Sequence, residues 1–234
     1  MVEPLFLAKV KCIQCEKMFQ SSRVRPSFKK PKKTDTDFCV YFDEVANPDY
    51  YVVRVCPFCG FAATENFSEQ MLPRKKKDYM ERLGNQWTMK DYCGSRGWEE
   101  ALQCYKRALL CAQIKEESER IIAGILHHIA WLYRYRNDRE QEERFLEYAL
   151  GAYIGVYERE GSDINNARLM YLVGELHRRL GNFNEAVRWF ARVVNNKKIT
   201  DATMIRASRD QWMAVREEMA AAKLEIPEDG ELKA

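Results

Sequence analysis

Cysteine is the residue type that promises chemistry in this chain. Eight are present, and four stand in two C-x-x-C pairs, Cys12-Ile-Gln-Cys15 and Cys56-Pro-Phe-Cys59, the second followed by Gly60. Two intervening residues let a tight turn aim both thiolates at one ion, and two such turns complete a tetrahedral four-sulfur shell of the kind that suits zinc. Ligand type alone leaves iron open as the ion. Four thiolates leave no coordination position for a substrate, so Cys12, Cys15, Cys56 and Cys59 are read as ligands of a structural Zn2+. The rival reading is a thiol redox protein using the same pairs. Redox dithiols typically sit at the start of a helix in a βαβ unit, a pattern missing here. Cys39, Cys93, Cys104 and Cys111 are read as packed thiols, with Cys104 and Cys111 seven positions apart and so on one helix face.

The elements that must position the four sulfurs are short. Leu5 to Lys11 alternates weakly as a strand. Phe38–Phe42 and Tyr50–Val55 are rich in aromatic and β-branched residues and predict two more strands, joined across Asn47-Pro48-Asp49 into an antiparallel hairpin that runs into the second cysteine turn. Gly60 supplies the backbone freedom such a turn needs. The 40 residues between the pairs exceed the usual spacing of about 15–20. The hairpin and a Ser-, Pro- and Lys-rich loop over 20–37 fill the excess.

From about residue 78 strand signals stop and apolar residues recur at helical spacing. Ile121, Ile125, Ile129 and Leu132 make one stripe; Leu169, Leu172, Val173, Leu176 and Leu180 make another. Gly181-Asn182 predicts a turn between helices. A last helix over Thr200–Lys223, capped by Thr200 or Asp201, carries Met204, Ser208, Trp212, Val215 and Met219 on one face. Pro73 limits any helix through it.

An internal repeat links these helices. Gly97, Trp98, Ala101, Tyr105 and Ala108 match Gly181, Phe183, Ala186, Phe190 and Val193 in spacing. Small residues let two helices approach while the aromatic fills the neighbouring groove, as in the second half of a tetratricopeptide repeat. Met170–Gly181 matches the first half, with Val173-Gly174 at the Leu-Gly place. A degenerate copy lies between them, with Leu126, Ile129, Ala130 and Tyr133 in its first helix. The rival is a non-repetitive helical bundle. In the repeat register His127, Trp131, Arg134, Arg168, Tyr171, Glu175 and Arg178 face a groove, where arginines beside aromatics could take a carboxylate-bearing peptide.

Charge is uneven. Residues 1–85 hold 15 Lys/Arg against 11 Asp/Glu, net +4, and residues 86–234 hold 23 against 24, net −1. Lys29, Lys30, Lys32 and Lys33 form a basic loop that could meet nucleic acid, against the plainer reading of a solvated loop. The start lacks a signal-peptide h-region, and the most apolar stretch, Ile121–Tyr133, is too short to span a bilayer, so a cytoplasmic protein is expected. No phosphate loop, G-x-S-x-G or H-E-x-x-H occurs.

The chain is therefore expected to be α+β and mostly α: a zinc-ribbon-like β module over 1–75, a tetratricopeptide-like α-solenoid over 76–226, and a tail over 227–234. Cys12-x-x-Cys15, Asn47-Pro48-x-Tyr50-Tyr51 and Cys56-Pro-x-Cys59-Gly60-Phe61-Ala62 resemble a bacterial family of unknown function, number 2225 in the domain-of-unknown-function series. The resemblance covers most of the chain and implies a four-cysteine ribbon-like region followed by helical repeats in the bacterial cytoplasm; it supplies no mechanism. The expected role is non-enzymatic: protein binding or scaffolding through the helical groove. Nucleic-acid binding and thiol redox chemistry are the alternatives.

Overall fold

The computed structural model describes residues 2–42, 46–160 and 166–222. The protein is mostly α with a small β module. It divides into two compact units, Met1–Phe145 and Leu146–Ala234.

The β structure of the first unit is three separate two-stranded antiparallel ladders. β1 (Leu5–Lys11) pairs with β2 (Met18–Val24), β3 (Pro31–Thr34) with β4 (Val40–Phe42), and β5 (Arg54–Val55) with β6 (Ala62–Ala63). The first pair runs from Leu5 opposite Val24 to Lys11 opposite Met18. β1 thus agrees with the alternation in its sequence.

The hairpin expected between Phe38–Phe42 and Tyr50–Val55 does not form. Asn47 accepts a hydrogen bond from the Asp49 N–H and Pro48 sets the first φ, so Pro48–Tyr51 winds into a 3-10 turn. That local chemistry overrides the β propensity of Tyr50 and Tyr51, and only Arg54–Val55 remains as strand. β4 takes its partner from the 20–37 segment instead, which carries most of β2 and all of β3 rather than a plain loop. The turn between them, Asp35–Phe38, places Phe38 at φ 69°.

Pro73 opens a helix rather than ending one. It stands at the first position of α1 (Pro73–Tyr79), where a missing N–H costs nothing. After a π turn over Met80–Gly84 come α2 (Trp98–Lys115) and α3 (Glu119–Arg134). The buried stripe of α2 is Ala101, Cys104, Tyr105, Ala108, Cys111 and Ala112, spaced three or four apart or adjacent, as a helix face requires. It packs in one core with Val53, Val55, Phe61, Tyr79, Ile129 and Leu132. Burying each of the larger of these contributes about 1.5–3 kcal/mol. Because α2 completes the core of the β module, the packing boundary falls at Phe145 and not at the compositional change near residue 75.

α4 (Arg139–Glu160) supplies residues to both units. In the second unit α5 (Ala167–Arg179), α6 (Phe183–Asn195) and α7 (Ala202–Ala221) pack on one another. The α5–α6 turn is closed by Gly181 N–H to Arg178 C=O and Asn182 N–H to His177 C=O, with Gly181 at φ 76°. Gly174 allows a close helix approach: a Cβ there would stand 2.8 Å from the Phe190 ring. Asp201 caps α7 by accepting from the Met204 N–H. Among the described residues no helix is long and apolar enough to cross a membrane. The expected tail over 227–234 lies outside the described residues.

Candidate metal centre

Both C-x-x-C pairs occupy hairpin turns, and the two turns are built alike. In the β1–β2 turn the Cys12 N–H donates to Lys17 C=O at 3.0 Å and the Glu16 N–H donates to Cys12 C=O at 3.0 Å. In the β5–β6 turn the Cys56 N–H donates to Phe61 C=O at 2.9 Å and the Gly60 N–H donates to Cys56 C=O at 2.8 Å. The residue after the second cysteine is left-handed in each, Glu16 at φ 62° and Gly60 at φ 73°.

The four sulfurs lie within 4.8 Å of one another, the only such cluster of His, Cys, Asp or Glu ligands among the described residues. Two sulfur pairs straddle the turns, Cys12 to Cys59 and Cys15 to Cys56, each 3.6 Å. Cys12, Cys56 and Cys59 are buried and Cys15 is half-buried. Hydrogen bonds from Cys12 and Cys59 pull Cys56 below the ordinary thiol range, while donating to Cys56 pushes Cys12 up. A soft divalent cation replaces the thiol protons and satisfies all four sulfurs together. The cluster can hold a metal ion.

Support comes from elements outside the two turns. Three carbonyls of the second turn are claimed by side chains. Trp87 Nε1 donates to Pro57 C=O at 2.8 Å, the Tyr79 hydroxyl donates to Cys59 C=O at 2.8 Å, and Arg107 Nε donates to Gly60 C=O. Arg107 also lies over the Trp87 ring, 4.2 Å from its centroid, and donates to the Tyr79 hydroxyl at 3.2 Å. Gly60 sits under Trp87 and Arg107 so closely that a Cβ would collide with both. The first turn is tied to α1, where Gln14 Nε2 donates to Lys76 C=O at 3.0 Å and Lys76 pairs with Glu16 at 2.6 Å. Sequence reading missed Tyr79, Trp87 and Arg107, because nothing local ties a helical arginine to a carbonyl 47 positions away.

The other cysteines are packed or half-buried. Burial pushes the thiols of Cys39 and Cys111 up to about 12 and that of Cys104 up to about 11. Cys111 accepts the Ala62 N–H at 3.4 Å. Cys93 is half-buried beside Ser22.

The expected groove residues fall into two groups. His127, Trp131 and Arg134 do gather round a carboxylate, but it is the chain's own Asp37. Arg134 Nη1 and Nη2 donate to its two oxygens at 2.9 and 2.7 Å, Trp131 Nε1 donates at 3.0 Å, and His127 Nε2 lies 3.2 Å away. Asp37 is fully buried, and its three partners are 2–9% exposed. This part of the expected groove is filled from within the chain, because the β3–β4 turn lies on that face of α3. On α5, Tyr171 and Glu175 are buried, Arg168 is exposed, and Arg178 clamps Glu175 at 2.8 Å through two nitrogens while reaching Glu218 of α7 at 2.8 Å. His128 of α3 and Tyr135 just beyond it make a second, half-buried polar group: His128 lies 3.9 Å from Asp49, whose carboxylate accepts from Tyr135 at 2.5 Å. Lys29 and Lys30 precede β3 and Lys32 and Lys33 lie on it, all exposed, with Lys33 paired to Asp35 at 2.7 Å.

No curated protein matches the chain. A family model described as "Uncharacterized protein conserved in bacteria (DUF2225)" matches residues 5–215, so this chain, with its four-cysteine cluster and following helices, belongs to that family.

Proposed function

We propose that the protein is a non-enzymatic partner-binding protein whose N-terminal module is held together by a structural zinc ion. The observation that carries the metal reading is the four-sulfur cluster drawn from two equivalent turns. Zinc suits four thiolates, and a closed shell of them leaves no position for a substrate. The redox alternative fits less well. All four sulfurs cluster within 4.8 Å instead of forming two separate dithiols, and neither pair begins a helix. The ion's role is mechanical: it joins two hairpins far apart in the chain, and Tyr79, Trp87 and Arg107 pass that order to α1 and α2.

The later helices fit a tetratricopeptide-like arrangement. Gly174 against Phe190 and the Gly181 turn supply the close helix pairing that the repeat pattern requires. Partner binding through the α3 face would require displacement of Asp37, whereas Arg168 on α5 is exposed. Native mass spectrometry with elemental analysis tests the metal reading: one zinc per chain is expected, and a metal-free native chain overturns it.

A further inference from the structure

A cleft of about 910 Å³ lies beside the first cysteine turn. Its floor is apolar, made by Phe19, Phe61, Phe67 and Met71, and one rim is the consecutive run Lys9–Ile13. An apolar floor beside a strand suits an extended peptide, with alternate side chains set into the cleft.

The rim is the open edge of β1. Among the described residues β1 pairs with β2 alone. Val10 and Phe19, opposite each other on the inner face, both line the cleft, but of the outer-face residues only Lys9 and Lys11 of β1 do so, not Met18 or Gln20 of β2. The cleft therefore wraps the edge of β1 that β2 leaves uncovered. The ladder's phase shows which backbone groups face it. The Arg25 N–H donates to Pro4 C=O and the Cys12 N–H donates to Lys17 C=O, so the even-numbered residues of β1 bond to β2. Leu7, Lys9 and Lys11 are left with N–H and C=O groups directed to the open edge, a template for another strand.

Charge selects the strand. Lys9 and Lys11 are exposed on one face of β1 and make no salt bridge among the described residues. Of the three carboxylates lining the cleft, Glu16 pairs with Lys76 at 2.6 Å and Glu65 with Arg23, while Glu69 is exposed. An added strand would place alternate side chains opposite the two lysines and the intervening ones over the aromatic floor.

We propose that β1 is a docking edge for an extended partner peptide in which acidic and apolar side chains alternate. The proposal rests on the partner-binding reading and moves the binding face from the helices to the cleft. Zinc-loaded full-length chain is panned against a displayed library of random nine-residue peptides, and recovered peptides are titrated by fluorescence anisotropy. Recovered sequences alternate acidic and apolar residues. The double variant Lys9→Glu/Lys11→Glu weakens binding at least tenfold. Lys9→Pro does the same, because it deletes an open-edge N–H and leaves the β1–β2 ladder intact; zinc content and thermal unfolding measured on the same samples stay unchanged. Failure to enrich any peptide, or binding indifferent to Lys9→Pro, overturns the proposal. Binding that depends on Arg168 instead overturns it while leaving partner binding through the helices standing. Self-association that Lys9→Pro abolishes makes a second copy of the chain the occupant and also overturns it.

Discussion

Arg134 holds Asp37 across 97 positions of sequence through two parallel hydrogen bonds of 2.9 and 2.7 Å. Neither charge is tolerable in the interior without the other, and Arg134 is further tied to Asp35 at 3.1 Å and Glu142 at 2.6 Å. Removing the guanidinium strands a buried carboxylate. Arg134→Ala is expected to lower stability by about 3–5 kcal/mol in urea unfolding. The double variant with Asp37→Asn should recover part of that loss, since the fully buried anion is gone and only the more exposed Asp35 and Glu142 lose a partner.

The eight thiols should react in three classes. With metal bound, Cys93 reacts readily; adding a chelator releases Cys12, Cys15, Cys56 and Cys59; denaturant exposes Cys39, Cys104 and Cys111, whose burial suppresses the thiolate. Thiol titration in those three conditions checks the order. Four thiols that react before chelator is added would contradict it.

Glu16 and Gly60 occupy the same place in the two cysteine turns, yet only one can change freely. Gly60→Ala combines a left-handed backbone with a collision against Trp87 and Arg107, and should cost about 2–4 kcal/mol and weaken metal retention. Glu16→Gly relieves left-handed strain of about 1 kcal/mol and loses an exposed ion pair worth less than that, so stability should hold or rise slightly. Thermal melts of both variants, with zinc retained, give the comparison.

Burial raises the Asp49 carboxyl from 3.8 to about 6, with the Tyr135 hydrogen bond working against the rise. The neighbouring His128 is pushed down to about 3 by burial and by His127, so it stays neutral above that pH. The folded chain therefore keeps the Asp49 proton where the unfolded chain has lost it. Its stability contribution is full below about pH 4 and is lost as pH rises to about 6, amounting to about 3 kcal/mol. The stability of the native chain relative to Asp49→Asn should fall by that order between about pH 4 and about pH 7.

In the second unit Gly174 admits the Phe190 ring. Gly174→Ala should destabilise by about 1–3 kcal/mol despite alanine's better helix propensity. Adding Phe190→Leu to that variant should restore part of the loss, read by chemical denaturation.

What the sequence made legible was whatever depends on near neighbours. The C-x-x-C spacing located both turns, Gly60 carried its left-handed angle, and helical spacing set Gly174 and Phe190 at repeat positions without naming their contact. Asp201 was one of two capping candidates. The failures have a common cause. Tyr50 and Tyr51 have strand propensity, but the Asn47-Pro48 turn and the burial of Tyr51 decided their conformation. The partner of β4 depended on a register that no single strand encodes. Arginine and tryptophan on one face of α3 suggested a groove for a partner's carboxylate; the chain's own Asp37 stands there instead, which could not be read because 97 positions of chain separate it from Arg134.

The shared packing of α2 with the cysteine turns also bears on dissection of the chain. Cutting at the change in composition near residue 75 would leave Val53, Val55 and Phe61 on one piece and Ala101, Tyr105 and Ala108 on the other. Each piece would present a raw apolar face to water, prone to clump or to capture its missing half. A recombinant N-terminal fragment meant to stay monodisperse must therefore run to Phe145, and adding metal to a shorter one would not substitute for the helices it lacks.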